Sequence, residues 1–156
     1  MLLTGLADRV PDRIRWLVYL DALLPADGQS CFDLMPGVEA GFQSSADRSG
    51  QGWLVPPMDA RDLGITNPAD ISWVNSRLTG MPILTHREKL SAPLGLAKIK
   101  RRAFVLCEQF GFHHFAEIAR QQGFDLVKSI GAGHDVQLTH PGRLAWNLIE
   151  SQRLDI

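Results

Sequence analysis

The stretch AFVLCEQFGFHHFAEIARQQGFDLVKSIGAGH, from Ala103 to His134, decides the fold of this chain. It begins with a short apolar strand at Ala103 to Leu106, continues with an amphipathic helix at Phe112 to Gln121, and returns to a strand at Phe124 to Ile130. Two strands joined by a helix predict parallel neighbours with a right-handed crossover. The stretch ends in a tight glycine-rich loop that carries His134.

Further regular elements lie on both sides of this stretch. Trp16 to Leu20, reading WLVYL, is a continuous apolar run typical of a strand covered on both faces, and Asp21 ends it. Met1 to Val10 has helical spacing, and Pro141 to Leu154 predicts a final helix. Candidates for burial in that helix are Leu144, Trp146, Leu148 and Ile149. The order of elements predicts an α/β fold with a partial parallel sheet of about three strands flanked by helices.

The segment between the first two strands has a different composition. From Pro25 to about Leu96, glycine, proline, serine and aspartate are frequent, and apolar residues are scattered. Such a stretch is too long for a plain loop, so we expect a helical lid or cap insertion at 25–96 within a single domain, 1–156. Asn67 to Leu78 predicts one of its helices, with Asn67 as the cap and Pro68 at the first position.

Composition narrows the class of protein and of partner. Of 156 residues, 45% are apolar, and 16 basic and 17 acidic side chains nearly cancel, as in one compact globular domain. Neither sign of charge forms a long block, so the sequence does not indicate binding to nucleic acid or to a membrane surface. Cys31 and Cys107 are too few for a disulfide framework, so we expect a cytoplasmic protein. Neither a signal peptide nor a transmembrane helix is predicted.

Three segments resemble the C-terminal half of the α/β-hydrolase superfamily, in particular the branch of methylesterases and hydroxynitrile lyases. They read LADRVPDRIRWLVYLDALLPADGQS, GITNPADISWVNSRLT and GAGHDVQLTHPGRLA, and the resemblance runs from Met1 to about Ile149. In that family the nucleophilic serine lies in a Gly-His-Ser-X-Gly-Gly elbow, and the residues after the elbow resemble the opening of this chain. We therefore expect a fragment of a longer gene product, with the half that bears the elbow missing.

The resemblance assigns His134 the role of general base. The imidazole follows Gly131, Ala132 and Gly133, and such a short loop at the end of a strand fixes the orientation of a ring that transfers protons. From the residues alone, a surface histidine that happens to follow glycines is the alternative. A thiol nucleophile at Cys107 is disfavoured, because no elbow precedes it.

The acid of the implied triad has several candidates. The family's usual Cys-Thr-X-Asp stretch reads Cys107 to Phe110 here, with phenylalanine in place of aspartate. Asp21 is the first candidate, because in the related haloalkane dehalogenases the acid follows the strand after the nucleophile helix. Glu108, on the more usual loop, is the second. Asp135 directly follows the histidine and is more typical of a local turn or cap.

The resemblance implies hydrolysis of small apolar esters through a Ser-His-Asp type triad, with no cofactor and no metal. Trp53 and Trp73 are candidates for an apolar substrate pocket under the lid. A carbon–carbon lyase of the hydroxynitrile type is an alternative, for which Lys89 or Lys98 near the histidine is the candidate lysine. His86 carries no feature that separates it from a surface residue.

The first predicted strand has an edge at which another polypeptide chain could pair. In the resembling fold, Trp16 to Leu20 pairs with the strand that precedes the nucleophile, and no such strand is present in this sequence. An apolar strand with an open edge is a site for pairing with another chain. A nonenzymatic ligand-binding or interaction module is therefore the alternative to an enzyme fragment.

Overall fold

The computed structural model describes residues 1–152, so the predicted helix end at Leu154 lies outside the described residues. The strands are β1 (Leu17–Leu20), β2 (Leu54–Val55), β3 (Met81–Pro82), β4 (Arg102–Cys107) and β5 (Leu126–Ile130). The helices are α1 (Leu2–Arg9), α2 (Cys31–Leu34), α3 (Glu39–Ser49), α4 (Pro68–Asn75), α5 (Leu84–Arg87), α6 (His113–Gln121), α7 (Val136–Thr139) and α8 (Pro141–Gln152), and a 3-10 turn follows α1 at Pro11–Arg13. None of these helices is long and apolar enough to cross a membrane.

The predicted α/β fold is confirmed. Strands β1, β4 and β5 form a parallel sheet in that order, with Val18 opposite Ala103 and Ala103 opposite Leu126. The central strand β4 is buried from Ala103 to Cys107, because alternate side chains of a strand point to opposite faces and both faces are covered. Phe104 and Leu106 pack toward α6, whereas residues 105 and 107 pack toward α7 and α8.

Two of the differences from the sequence prediction have a clear physical reason. The strand expected from Phe124 begins at Leu126, because the Phe124 N–H donates to the Ala119 carbonyl and closes α6 instead. In α8 only one stripe faces the sheet. Leu144 is buried as expected, but Trp146 is 61% exposed and Ile149 is 50% exposed, so their predicted burial was wrong.

Residues between β1 and β4 form short helices and the two-stranded antiparallel sheet of β2 and β3. The predicted helix after Asn67 is α4, and the Asn67 side chain accepts from the backbone N–H groups of Ala69 and Asp70. His86, which had no feature of a buried residue, is only 8% exposed, because its ring stacks on Phe32. These elements belong to the insertion, residues 25–96, whose role as a lid stays a prediction.

Candidate active site

Asp21 lies immediately after the carboxyl end of β1 and is 1% exposed. Its φ is +41°, a left-handed conformation that aspartate adopts more readily than most residues other than glycine. The backbone N–H donates to the Val105 carbonyl at 2.7 Å and so continues the pairing with β4. This turn directs the carboxylate back toward the ends of β4 and β5.

The Asp21 carboxylate uses both oxygens. Oδ1 accepts from the Cys107 backbone N–H at 3.0 Å, and Oδ2 lies 2.7 Å from His134 Nδ1. A carboxylate only accepts, so the proton of this second bond belongs to Nδ1 and the lone pair of the ring is on Nε2. An imidazole in this tautomer is a base that accepts a proton at Nε2, on the side of the ring away from Asp21.

His134 lies in the loop after β5, and 32% of its side chain is exposed. The ring of Phe110 stacks on the imidazole, and the ring of Phe112 meets it edge to face. Phe112 was not singled out from the sequence, and Phe110 was noticed only as a departure from an aspartate position. That departure was the one available indication that an aromatic ring borders the histidine.

The insertion holds the His134 loop through main-chain contacts. A Cβ on Gly64 would lie 2.5 Å from the Gly133 Cα, which is closer than any side chain can approach. Gly64 also has a φ of +87°, so both steric space and conformation require glycine there. The Asp135 N–H donates to the Leu63 carbonyl at 3.3 Å next to this contact. None of these residues in the insertion was identified from the sequence.

The other acid candidates lie elsewhere. Glu108 is exposed beside Gly131, where its Oε2 is 3.5 Å from the position of an added Cβ, and the hydrogen bond to His134 comes from Asp21 instead. The Asp135 carboxylate accepts from the Gln137 side chain, as expected for a local turn residue. The geometry therefore selects Asp21 among the predicted carboxylates as the partner of His134.

Among the described residues, the rings that contact the imidazole belong to Phe110 and Phe112, and the predicted tryptophans are not among them. Trp53 precedes β2, Trp73 lies on α4, and each is 52% exposed. The Arg77 guanidinium lies over the Trp73 ring at 4.5 Å. Lys89 Nζ is 3.8 Å from Asp33. A substrate-binding role for the two tryptophans stays a prediction.

Cys107 is buried at the end of β4, beside the acid. Burial, followed by the negative charges of Asp21 and Asp135, raises the pKa of its thiol to about 12. A thiol with this pKa is almost entirely protonated at neutral pH and is therefore a poor nucleophile. The chemistry agrees with the sequence argument against Cys107.

Comparison with known proteins finds similarity in sequence to an esterase. No protein-family model matches the chain. A carbendazim hydrolyzing esterase from Nocardioides sp. (strain SG-4G) is 32% identical over 161 residues, a match that covers 95% of this chain and 65% of the esterase. The chain thus spans 65% of the length of that relative.

Two solved structures are similar in fold. An extracellular α/β-hydrolase from a Paenibacillus species, described as a structural and functional homologue of tobacco salicylic acid binding protein 2, has a TM-score of 0.78 at 21% identity. Tomato methylketone synthase I, as a variant complexed with beta-ketoheptanoate, has a TM-score of 0.72 at 11% identity. Each match covers 96% of this chain, and it covers 66% of the first structure and 65% of the second. The chain therefore has the α/β-hydrolase fold and corresponds to the carboxyl-terminal part of it.

Proposed function

We propose that this chain supplies the general base and the acid of a carboxylic ester hydrolase whose serine nucleophile lies outside these 156 residues. The observation that carries the proposal is the 2.7 Å hydrogen bond between His134 Nδ1 and Asp21 Oδ2, which leaves Nε2 free to accept a proton. The similarity to an esterase supports hydrolase-type chemistry. Base and acid together require only a nucleophile to complete a triad.

In the proposed reaction the serine oxygen attacks the ester carbonyl carbon, the carbonyl π electrons move to oxygen, and His134 Nε2 takes the hydroxyl proton. Collapse of the tetrahedral intermediate breaks the bond to the alcohol, which leaves with the proton from His134. His134 Nε2 next takes a proton from the water that attacks the acyl-enzyme. The second tetrahedral intermediate then breaks the bond to the serine oxygen, which takes that proton back, and the carboxylic acid is released. Asp21 accepts the Nδ1 hydrogen bond throughout and stabilises the imidazolium that forms in each step.

The proposed substrate is a small, uncharged ester with an apolar group. Phe110 and Phe112 border the base, and both are partly exposed. Aromatic surfaces beside a reacting centre favour apolar substituents over charged ones. The name of the Nocardioides relative makes carbendazim one of the compounds to test.

The experiment is a chimera in which the part of the Nocardioides esterase that precedes the match is joined to Met1 of this chain. We expect it to hydrolyse a chromogenic short-chain ester. His134→Ala should lower kcat/KM by about a million-fold, because base and nucleophile act as a unit. His140→Ala, which removes an exposed histidine bonded to Thr139, is the matched control and should have little effect.

Two results would contradict the proposal. One is a folded, active chimera in which His134→Ala and His140→Ala have equal activity. The other is ester hydrolysis by the 156-residue chain alone that is abolished by His134→Ala, because this would place the nucleophile within the chain. Circular dichroism of each variant checks that it is folded.

We also propose the reducing cytoplasm as the compartment. Cys31 and Cys107 are both free and buried in the structure, and free thiols are usual where glutathione keeps cysteine reduced. Fractionation of cells that express the tagged chain tests this proposal. Recovery outside the cytoplasmic fraction would contradict it.

A further inference from the structure

Phenylalanine rings enclose the imidazole of His134 on two sides. The Phe110 ring stacks on it with 4.2 Å between ring centroids and 27° between planes. The Phe112 ring meets it at 5.8 Å and 83°, and also packs edge to face on Phe110 at 5.1 Å. We call the rings of Phe110 and Phe112 the aromatic clamp.

The hydrogen bond to Asp21 does not by itself fix the imidazole. Rotation of a histidine ring about its bond to Cβ has broad, two-fold minima, so the ring turns over easily unless neighbours restrict it. The His134 side chain is 32% exposed, so burial alone does not enclose the whole ring. A ring lying flat against the imidazole blocks this rotation, because a turning imidazole collides with it.

Main-chain hydrogen bonds hold Phe110 against the imidazole. The Phe110 N–H donates to the Cys107 carbonyl at 3.3 Å, and the Gln109 N–H donates to the Ala132 carbonyl at 3.1 Å. The first bond fixes the loop to the end of β4, where Cys107 binds the acid. The second ties the same loop to the one that carries His134. The stacked ring is therefore fixed relative to both members of the pair.

We propose that Phe110 is a positioning residue that keeps the imidazole plane in the orientation in which Nδ1 donates to Asp21 and Nε2 is free. Phe112 is the second wall of the clamp. In the resembling family, the position of Phe110 commonly carries the acid; here that loop supplies a ring and the end of β1 supplies the carboxylate. The catalytic value of this orientation rests on the proposed function, but the orientation itself does not.

The test reads the tautomer of His134 by long-range nitrogen–proton NMR correlation on the 156-residue chain, at a pH at which the imidazole is neutral. We expect the unaltered chain to show a protonated Nδ1 and an unprotonated Nε2. Phe110→Leu keeps an apolar side chain but no ring, and should give a mixture of tautomers. Phe110→Tyr keeps the ring and should retain the single tautomer. Phe110→Met is the second ringless variant if Phe110→Leu does not fold.

Phe42→Leu is the matched control, because the Phe42 ring packs against another histidine, His86, at 5.2 Å. It should leave the nitrogen resonances of His134 unchanged. Retention of a single Nδ1–H tautomer in a folded ringless variant overturns the proposal, and so does a mixture in the unaltered chain or in Phe42→Leu. The readout needs no substrate. A folded, active chimera in which His134→Ala and His140→Ala have equal activity would therefore refute the proposed function and leave this inference unaffected.

Discussion

At the scale of the residue, Asp21 has a strained backbone conformation that places its carboxylate between Cys107 and His134. Its φ of +41° is unusual for a residue with a side chain, and strain of this kind costs about 1–3 kcal/mol. Three hydrogen bonds hold this conformation: the Asp21 N–H donates to the Val105 carbonyl, and the carboxylate accepts from the Cys107 N–H and from His134 Nδ1. Strained residues held in this way cluster at functional sites.

Replacing Asp21 by alanine should lower the free energy of unfolding by about 2 kcal/mol more than replacing it by asparagine. Alanine leaves the buried Cys107 N–H without an acceptor and adopts the left-handed conformation poorly. Asparagine keeps an oxygen for that N–H and tolerates the conformation better. Urea unfolding of Asp21→Ala and Asp21→Asn measures the difference, and equal stabilities would contradict this account of the site.

At the scale of the element, the insertion and the His134 loop are joined backbone to backbone. A Cβ at Gly133 would lie 2.5 Å from the Gly64 Cα and 2.7 Å from the Leu63 carbonyl oxygen. Gly133→Ala should therefore destabilise the chain by about 1–3 kcal/mol. Gly142→Ala, in the first turn of α8 with nothing within 4 Å, is the control and should be neutral or slightly stabilising. Thermal unfolding of both variants measures the difference. Equal midpoints would contradict the close contact between Gly133 and Gly64.

The insertion should lose stability in mild acid. Burial lowers the pKa of His86, which packs against Phe32 and Phe42, while the nearby Arg87 and Glu39 pair with each other. A lowered pKa in the folded state means that the unfolded state binds the proton more tightly. The contribution of His86 is therefore present above the unfolded pKa of about 6.5 and declines as the pH falls below it.

Urea unfolding at pH ~7.5 and pH ~5 tests this dependence on acid. Part of the stability difference between the two conditions should disappear in His86→Phe, which fills the same space with an uncharged ring. An unchanged pH dependence in that variant would show that other groups account for it.

Elements with local sequence patterns were predictable. Asn67 followed by proline marked the start of α4, and the apolar run of β4 was recognisable from its residues alone. Contacts between distant residues were not. Asp21 and His134 lie 113 positions apart, and their pairing was anticipated only through a resemblance to a family. Nothing in the sequence marks Gly64 as a backbone contact of the histidine loop.

At the scale of the whole molecule, β1 is an edge of the described sheet. The N–H groups of Leu17 and Asp21 bond to β4, so by alternation those of Val18 and Leu20 point away from it. Among residues 1–152, exposed apolar side chains on α1 include Leu2 at 89% and Leu6 at 49%. An open edge and an apolar helix surface on one chain favour association with another polypeptide.

The chain expressed alone should therefore self-associate as its concentration rises. Leu6→Lys should weaken this association, because it places a charge on the exposed surface of α1. Leu84→Lys alters an exposed leucine of the insertion and is the control. Sedimentation velocity over a range of concentrations measures the effect. A chain that stays monomeric, or equal weakening by both substitutions, would contradict this role for α1.

The central claim is that Asp21 and His134 are the acid and base of an ester hydrolase. Its most direct test compares Asp21→Asn with Glu108→Gln in the active chimera, by kcat/KM on the same chromogenic ester. We expect a loss of about 10,000-fold for Asp21→Asn, because the imidazole then takes the wrong tautomer, and little change for Glu108→Gln. A large loss for Glu108→Gln with activity retained in Asp21→Asn would contradict the account.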